Sequence, residues 1–360
     1  MQVAIIGCGV VGAAIAYELS LVKGVNVTLF DQNSPASGST HAALGVLMGI
    51  ISLKTKGRAW QLRDQSIRRY ATLIPELEAI TGKKIPHNRQ GILRLGFGQK
   101  DVNRWLKLIE IRRTQGWNLE LWNREQLQSH CPQIQDDSII GAIYSPQDIQ
   151  VNPIALTEAL VAAAQINGVT CHFGVKVENF AIQGENCTHL HTNAGNFALD
   201  KLIVSAGLGS TPLTASLAQK IDIRPTLGQV MHVKVDHTLG KPQFQPVIAG
   251  HNVRIIPVGQ QEYWIGTTME FPNSEGEFFV DSSLLEQLHQ DAIALCPDLA
   301  NVTILRTWSG KRPRPEGMSA PILGKLPGYD NILLATGHYR NGILLAPASA
   351  EIIRDLIFSM

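Results

Sequence analysis

The chain has 360 residues, 44% of them hydrophobic, which is more than a single average core needs and predicts two domains. Its 31 basic and 30 acidic residues leave a formal net charge of +1, which disfavours a nucleic-acid partner. The five cysteines form no CxxC pair, and no apolar stretch is long enough to span a bilayer. We therefore expect reduced thiols, a cytoplasmic location and no transmembrane segment, and the histidine spacing predicts no metal site.

The first 31 residues carry the most informative pattern. An apolar strand over residues 3–6 leads into Gly7, Gly9 and Gly12, and a second apolar strand ends at Asp31. In such a unit the first glycine permits a tight turn, the second lets a pyrophosphate approach the backbone, and the third lets the helix pack closely on the strand. The Asp31 carboxylate is placed to bind the hydroxyl groups of an adenosine ribose, which argues against NADP. The unit predicts a bound dinucleotide and leaves NAD and FAD open.

Alternating loops, helices and strands are predicted downstream of this unit. In chain order we predict a polar loop at 33–40, a helix at 56–81, an inserted lobe at 91–133 with a helix at 100–115, a loop at 145–153, a helix at 154–167, and strands at 169–173, 175–180 and 202–205.

The pattern changes to alternating apolar and polar residues between residues 223 and 268, as in an antiparallel sheet. Strands are predicted at 223–235, 253–257, 263–268 and 332–335, and helices at 284–295 and 346–357.

These segments together predict an α/β fold, α+β overall, with a Rossmann-like nucleotide-binding domain that is discontinuous in sequence. A substrate domain built on an antiparallel β-sheet accompanies it. The predicted nucleotide domain comprises residues 1–80, 145–215 and 306–360, and the predicted substrate domain comprises residues 81–144 and 216–305.

Three later segments make the dinucleotide site more specific. They are residues 37–45 (SGSTHAALG), residues 308–315 (WSGKRPRP) with 321–324, and residues 337–347 (GHYRNGILLAP). Together with the N-terminal unit and residues 147–153, they resemble the glycine oxidase and D-amino acid oxidase family of FAD enzymes, in order along the whole chain. The similarity is greatest to the glycine oxidase branch, mainly through the third segment. It implies a non-covalent FAD, and that branch suggests a role in thiamine biosynthesis.

The resemblance also implies which residues bind the cofactor. They are Gly7, Gly9, Val10, Val11, Gly12, Asp31, Gln32, Ser39, Thr40, Leu44, Gly45, Val46, Val177, Ala206, Gly207, His338, Tyr339, Arg340, Asn341, Gly342, Ile343 and Leu344. For Val177 the alternative interpretation is plain strand packing. His41 lies beside the expected flavin path, so a covalent histidyl link is the alternative to a non-covalent cofactor.

Substrate capture is predicted to depend on arginine, whose planar fork binds a carboxylate through two hydrogen bonds. Arg312 matches the family's carboxylate-binding arginine, Arg340 matches a second arginine that supports the substrate site, and Met269 matches a methionine of the pocket wall. Arg254 stands where glycine oxidases carry a tyrosine. The sequence leaves open whether Arg254 enters the pocket or points outward, and with it whether glycine is the preferred substrate.

The leading hypothesis is FAD-dependent oxidation of glycine, or of a related small amino acid or secondary amine, to the imino acid. O₂ then reoxidises the flavin and gives H₂O₂, and no protein group is required as a general base. A dehydrogenase that passes electrons to a quinone or carrier protein would have the same sequence features. A flavin-bearing accessory protein and a tRNA-modification enzyme are alternatives of another class. Relatives are commonly oligomers, which leaves a homo-oligomer open.

Overall fold

A computed structural model describes residues 1–273, 277–278 and 281–359. The strands within these residues are β1 (Gln2–Ile6), β2 (Asn26–Asp31), β3 (Val46–Leu47), β4 (His87–Asn88), β5 (Ile92–Gly96), β6 (Glu120–Asn123), β7 (Gly141–Ser145), β8 (Ile149–Val151), β9 (Thr170–Phe173), β10 (Val177–Gln183), β11 (Asn186–Thr192), β12 (Gly195–Ala198), β13 (Lys201–Val204), β14 (Ile223–Lys234), β15 (Val247–Gly250), β16 (Val253–Gly259), β17 (Glu262–Gly266), β18 (Thr303–Pro315), β19 (Ile322–Lys325) and β20 (Ile332–Thr336). The α-helices are α1 (Val10–Ser20), α2 (Gly57–Thr81), α3 (Gln99–Thr114), α4 (Arg124–His130), α5 (Pro153–Ile166), α6 (Ser210–Leu213), α7 (Ser282–Leu295) and α8 (Gly342–Phe358).

A six-stranded sheet in the order β19-β20-β13-β1-β2-β9 carries the N-terminal unit. Its strands are parallel except for β19. The central strand β1 is buried on both faces, which explains its continuous apolar sequence. Val3 and Ile5 pack into a core shared with α1, α2, α5 and α8, whereas Ala4 and Ile6 pack towards the three-stranded sheet β10-β11-β12. The sheet is thus covered on both sides, as a nucleotide-binding domain of this class requires.

The second large sheet has eight strands, in the order β18-β14-β17-β16-β15-β5-β7-β6. It is antiparallel except where β15 pairs with β5. One face packs against α7 through residues such as Ile255 and Ile265. Because side chains alternate along a strand, Ile256 points to the opposite face, where it packs with Leu44 and Val230. This second face is directed towards the functional site.

Two local predictions are wrong. Residues 145–153 are not a simple loop, since β8 pairs with β3 and β4 in a small sheet. The last helix begins at Gly342 and not at residue 346. Pro347 cannot donate to the carbonyl of Ile343, and that carbonyl instead accepts a hydrogen bond from the Tyr70 hydroxyl. The helix therefore continues through a proline that, in the sequence, resembles a helix start.

The predicted fold class is confirmed by the two main sheets and their helices. The domain boundaries stay a prediction. Strand β18 spans the predicted boundary at residue 306 and lies in the eight-stranded sheet. No helix among the described residues is long and apolar enough to cross a membrane.

Candidate cofactor and substrate site

A cavity of about 680 Å³ is lined by residues of both large sheets. Its walls include the turn between β1 and α1, the end of β2, the segment at 38–46, the ends of β13 and β20, and the start of α8. Strands β14, β16 and β18 close it from the second sheet. The cavity therefore joins the N-terminal unit to residues some 300 positions later in the chain.

The glycines of the first turn are required by close contacts. Gly7 has φ +103°, and a Cβ there would lie 2.6 Å from the Ser205 carbonyl oxygen. At Gly12 a Cβ would lie 1.8 Å from the Gly7 oxygen, so this glycine sets the approach of α1 to the turn. Gly7 and Gly9 line the cavity together with Val10 and Val11, whereas Gly12 acts through packing. Helix α1 thus presents its N-terminus, the positive end of its dipole, to the cavity.

Asp31 lies at the end of β2, where it both organises the turn and faces the cavity. Its Oδ2 accepts a hydrogen bond from the Cys8 backbone N at 2.6 Å, and its Oδ1 accepts one from the Asn33 N at 2.8 Å. Asp31 and Gln32 both line the cavity. A carboxylate at this position has the geometry expected for a ribose contact next to a glycine turn.

Residues 38–46 form a continuous part of the wall. Thr40 Oγ1 accepts from the Val10 backbone N at 3.0 Å, and Ser39 Oγ donates to the Lys311 carbonyl oxygen at 2.6 Å. These two bonds tie the segment to the N-terminus of α1 and to β18. The predicted residues of this segment all line the cavity, namely Ser39, Thr40, Leu44, Gly45 and Val46, as do Ala206 and Gly207 after β13.

The predicted flavin segment, residues 338–344, also lines the cavity without a break. Asn341 precedes α8, so the first turn of this helix, with the positive end of its dipole, lies at the cavity wall. His338 is fully buried and its Nε2 lies 2.9 Å from Ser349 Oγ. Since Ser349 Oγ donates to the Leu345 oxygen, it accepts from the histidine. Burial lowers the pKa of His338 to about 3, so the ring is neutral.

The structure brings three predicted substrate-site arginines together. Arg254, Arg312 and Arg340 all line the cavity, and the pKa of Arg254 and of Arg312 is lowered first by burial and then by repulsion from Arg340. Arg312 Nη1 donates to the Leu227 oxygen at 2.8 Å and its Nη2 to the Thr268 oxygen at 3.2 Å. Two carbonyl groups thus fix the plane of the guanidinium, and further N–H groups remain for a ligand. Arg254 is among the residues that line the cavity, and its contact with a substrate stays a prediction.

Sequence reasoning missed the residues that position Arg312. Gly228 and Gly310 face each other across β14 and β18, and both line the cavity. A Cβ at Gly228 would lie 1.9 Å from Arg312 Nη2, so the missing side chain creates the space for the guanidinium. Two glycines inside alternating strands are a signal for such a close approach, and the sequence did contain it.

A buried polar cluster next to Arg312 was also missed. Thr268 Oγ1 donates to Glu270 Oε1 at 2.5 Å, and the Gln229 backbone N donates to Thr268 Oγ1 at 2.8 Å. Glu270 acts on Arg312 electrostatically and raises its pKa, against the larger effect of burial, which lowers it. The cluster places one carboxylate behind the arginine and holds the Thr268 carbonyl in place.

Three other predicted residues lie outside the described lining of the cavity. Met269 is 45% exposed, with its Sδ 3.9 Å from the Tyr339 hydroxyl, which places it near the rim. Val177 is buried beneath the six-stranded sheet, so a backbone contact with the cofactor stays a prediction. His41 is exposed, whereas its neighbours Ala42 and Ala43 line the cavity.

Within the described residues, no group of three or more His, Cys, Asp or Glu side chains is arranged to hold a metal ion.

The donor set of the cavity fits FAD. A carboxylate and a glycine turn suit the adenosine and pyrophosphate, and the N-terminus of α8 suits an electron-rich ring. The neutral ring of His338 and the hydroxyl groups of Ser39 and Thr40 add polar groups to the lining of the cavity. A cavity of about 680 Å³ whose lining includes both Asp31 and three arginines has groups for a dinucleotide and for a small acid.

Comparisons with known proteins identify the family of the chain. A family model described as FAD dependent oxidoreductase (DAO) matches residues 2–356. The bifunctional protein ThiO/ThiG of Trichormus variabilis is 32% identical over an alignment of 366 positions, which covers 99% of this chain and 52% of that protein. The chain thus spans about half the length of this relative. A glycine oxidase of Geobacillus kaustophilus is 28% identical, with 99% of this chain and 92% of that protein covered.

A solved structure gives the same result. The crystal structure of glycine oxidase from Bacillus cereus superposes with a TM-score of 0.88 at 28% identity, covering 99% of this chain and 95% of that one. The family match and this superposition confirm both the predicted resemblance and FAD as the cofactor. The chain therefore belongs to the DAO family of FAD-dependent oxidoreductases.

Proposed function

We propose that this protein oxidises a small amino acid or secondary amine to the imino acid, with FAD as electron acceptor and O₂ as the oxidant that regenerates it. The observation that carries the proposal is Arg312. Its guanidinium is fixed by two backbone carbonyl groups in the same cavity as the N-terminus of α8. Glycine and small amino acids share a carboxylate next to the reacting carbon, which such an arginine binds through two bonds.

The residues of this chain position the substrate, and none of them is assigned a role in acid–base chemistry. FAD, when bound, accepts the hydride that leaves the α-carbon as the C–N double bond forms, and water hydrolyses the imine afterwards. Arg312 holds the carboxylate, and the buried neutral His338 keeps its side chain engaged with Ser349. No titratable residue is assigned the role of base, since an amine that binds in its neutral form loses hydride without one.

The nature of the substrate and of the electron acceptor is supported by the relatives. One is named a glycine oxidase and another a ThiO/ThiG protein. We propose by analogy that this chain uses O₂ and that its product enters thiamine biosynthesis. We further propose a non-covalent FAD, supported by the exposed position of His41. All five cysteines are free thiols, which supports the proposed cytoplasmic location.

Steady-state oxidation with product identification tests this function. The purified holoenzyme should consume the amine and release H₂O₂, ammonia or a primary amine, and a 2-oxo acid in equal amounts. Arg312→Ala should lower kcat/KM by roughly 30- to 4,000-fold, the effect of removing one partner of a hydrogen-bonded charge pair. The matched control is Arg306→Ala, an exposed arginine in the same strand. Turnover with an artificial dye but without H₂O₂ would reject the oxidase in favour of a dehydrogenase.

A further inference from the structure

We infer that the preferred substrate carries a second carboxylate, which Arg254 binds while Arg312 binds the first. The inference rests on the proposed amine oxidation and names the substrate class more closely, as small amino dicarboxylates. Arg254 is then the residue that determines specificity, and the cavity is built for a dianionic amine more than for glycine.

The register of the eight-stranded sheet places Arg254 on the cavity face with room around it. Arg254 on β16 pairs with Gly266 on one side and with Ala249 on the other. Directly paired residues share a face of the sheet, so both neighbours of Arg254 are small. Leu44 packs over Gly266, where a Cβ would lie 2.7 Å from its Cδ1. Neither paired neighbour carries a long side chain, and Arg254 itself lines the cavity, where a ligand can reach its guanidinium.

A fourth arginine, Arg94, lies in the same row of paired strand residues as Arg254. Ala249 pairs with Arg94 on β5, so Arg94 and Arg254 flank one alanine on a single face of the sheet. Arg94 is close enough to lower the pKa of Arg254 by repulsion, as are Arg340 and Arg312. Burial is the larger cause, and together these effects lower the pKa of Arg254 to about 10. The surroundings of Arg254 therefore disfavour the charged form of its guanidinium.

Nothing in the described protein compensates this charge. Arg254 Nη1 donates to the Asn252 carbonyl oxygen at 3.0 Å, and the hydrogen bonds of Arg312 also go to carbonyl oxygens. Among the described residues, neither Arg94 nor Arg340 forms an ion pair with a carboxylate. Glu270 acts electrostatically on Arg312, and its own carboxylate is buried and bonded to Thr268 and Gln229.

The count of charges favours a dianion. Four guanidinium groups share one region with one carboxylate, and a substrate with a single carboxylate neutralises one more. Cations that are removed from water are stable when they are paired, so a second anionic group on the ligand is the natural partner of Arg254. A carboxylate suits it because an arginine binds that group through two parallel bonds.

Matched substrate pairs test the inference. Anaerobic flavin reduction by the holoenzyme is measured with iminodiacetate against sarcosine, and with D-aspartate and D-glutamate against D-alanine. We expect the best dicarboxylate to exceed its monocarboxylate partner in reduction efficiency by more than about tenfold. In Arg254→Gln the ratio of dicarboxylate to monocarboxylate should fall by roughly 30- to 4,000-fold. Arg306→Gln, at an exposed site of the same sheet, should leave the ratio as in the parent.

The outcomes separate the two proposals. If no amine of either class reduces the flavin, the proposed function fails. If monocarboxylates reduce it as well as or better than the dicarboxylates, amine oxidation stands and the dicarboxylate inference is overturned. An equal loss for both classes in Arg254→Gln also overturns it, since Arg254 would then support the site as a whole. Should that variant lose FAD, Arg254→Lys decides, because it keeps the charge and should retain part of the preference.

Discussion

Gly228→Ala should disable Arg312 without touching any charged residue. The added Cβ would lie 1.9 Å from Arg312 Nη2, 2.5 Å from Nη1 and 2.4 Å from Cζ. An ordinary contact needs at least about 3.4 Å, so the guanidinium has to move by 3.4 − 1.9, or about 1.5 Å. That displacement breaks its hydrogen bonds to Leu227 and Thr268, which are 2.8 and 3.2 Å long. The Arg312 guanidinium is then no longer in place to bind the carboxylate of the proposed substrate.

The expected loss in kcat/KM approaches that of removing the arginine, roughly 2–5 kcal/mol or 30- to 4,000-fold. The assay is steady-state oxidation, with FAD content and thermal unfolding measured on the same preparation to show that the protein is folded. Gly98→Ala is the matched control, since Gly98 has extended backbone and nothing lies within 4 Å of its added Cβ. It should behave as the parent does.

A double-mutant cycle checks the mechanism of this loss. If Gly228→Ala acts through Arg312, it should have little further effect in the Arg312→Ala background, because coupled sites are not additive. Full additivity of the two losses, or parental kcat/KM in Gly228→Ala, would refute the reasoning that the glycine exists to make room for the guanidinium.

Three further predictions follow from the cofactor and substrate ends of the site. Asp31→Ala removes the acceptor of the Cys8 N–H and the proposed acceptor of the ribose hydroxyl groups, and should weaken FAD binding by roughly 10- to 150-fold; an apoprotein that is reconstituted at parental FAD concentrations would contradict this. Unfolded His338 takes up a proton near pH 6.5 that the folded residue, with a pKa of about 3, refuses. The free energy of unfolding should therefore fall below pH 6.5 by up to about 1.4 kcal/mol per pH unit, and denaturation of His338→Gln should lack this part of the slope. Arg312→Lys keeps the charge but loses the planar fork, so kcat/KM should still fall by about tenfold or more, and parental kinetics would show that charge alone suffices.

The features that the sequence alone could predict depend on residues that lie close together in the chain. Gly7, Gly9 and Asp31 perform tasks set by a single strand, turn and helix, so their pattern is readable without the rest of the fold. The segment at 337–344 was found by resemblance; its residues line the cavity, and its contact with the flavin stays a prediction. In both cases the informative residues are contiguous.

The remainder depends on contacts between distant segments. Whether Arg254 enters the cavity is decided by the register of β16 against its neighbours, and a shift of one residue would turn it to the other face. Arg94 joins the site only through pairing of β15 with β5. The start of α8 was misplaced because the partner of the Ile343 carbonyl, Tyr70, comes from α2. No local pattern contains these relations.

Anaerobic mixing of the holoenzyme with a panel of amines tests the central claim most directly. The panel comprises glycine, sarcosine, D-alanine and the amino dicarboxylates, and the signal is the visible absorbance of the bound flavin. The account predicts that at least one of these amines bleaches the flavin, and that readmitting O₂ restores the colour and releases H₂O₂. A fully loaded, folded enzyme whose flavin stays oxidised with every amine of the panel would contradict amine oxidation as the function of this site.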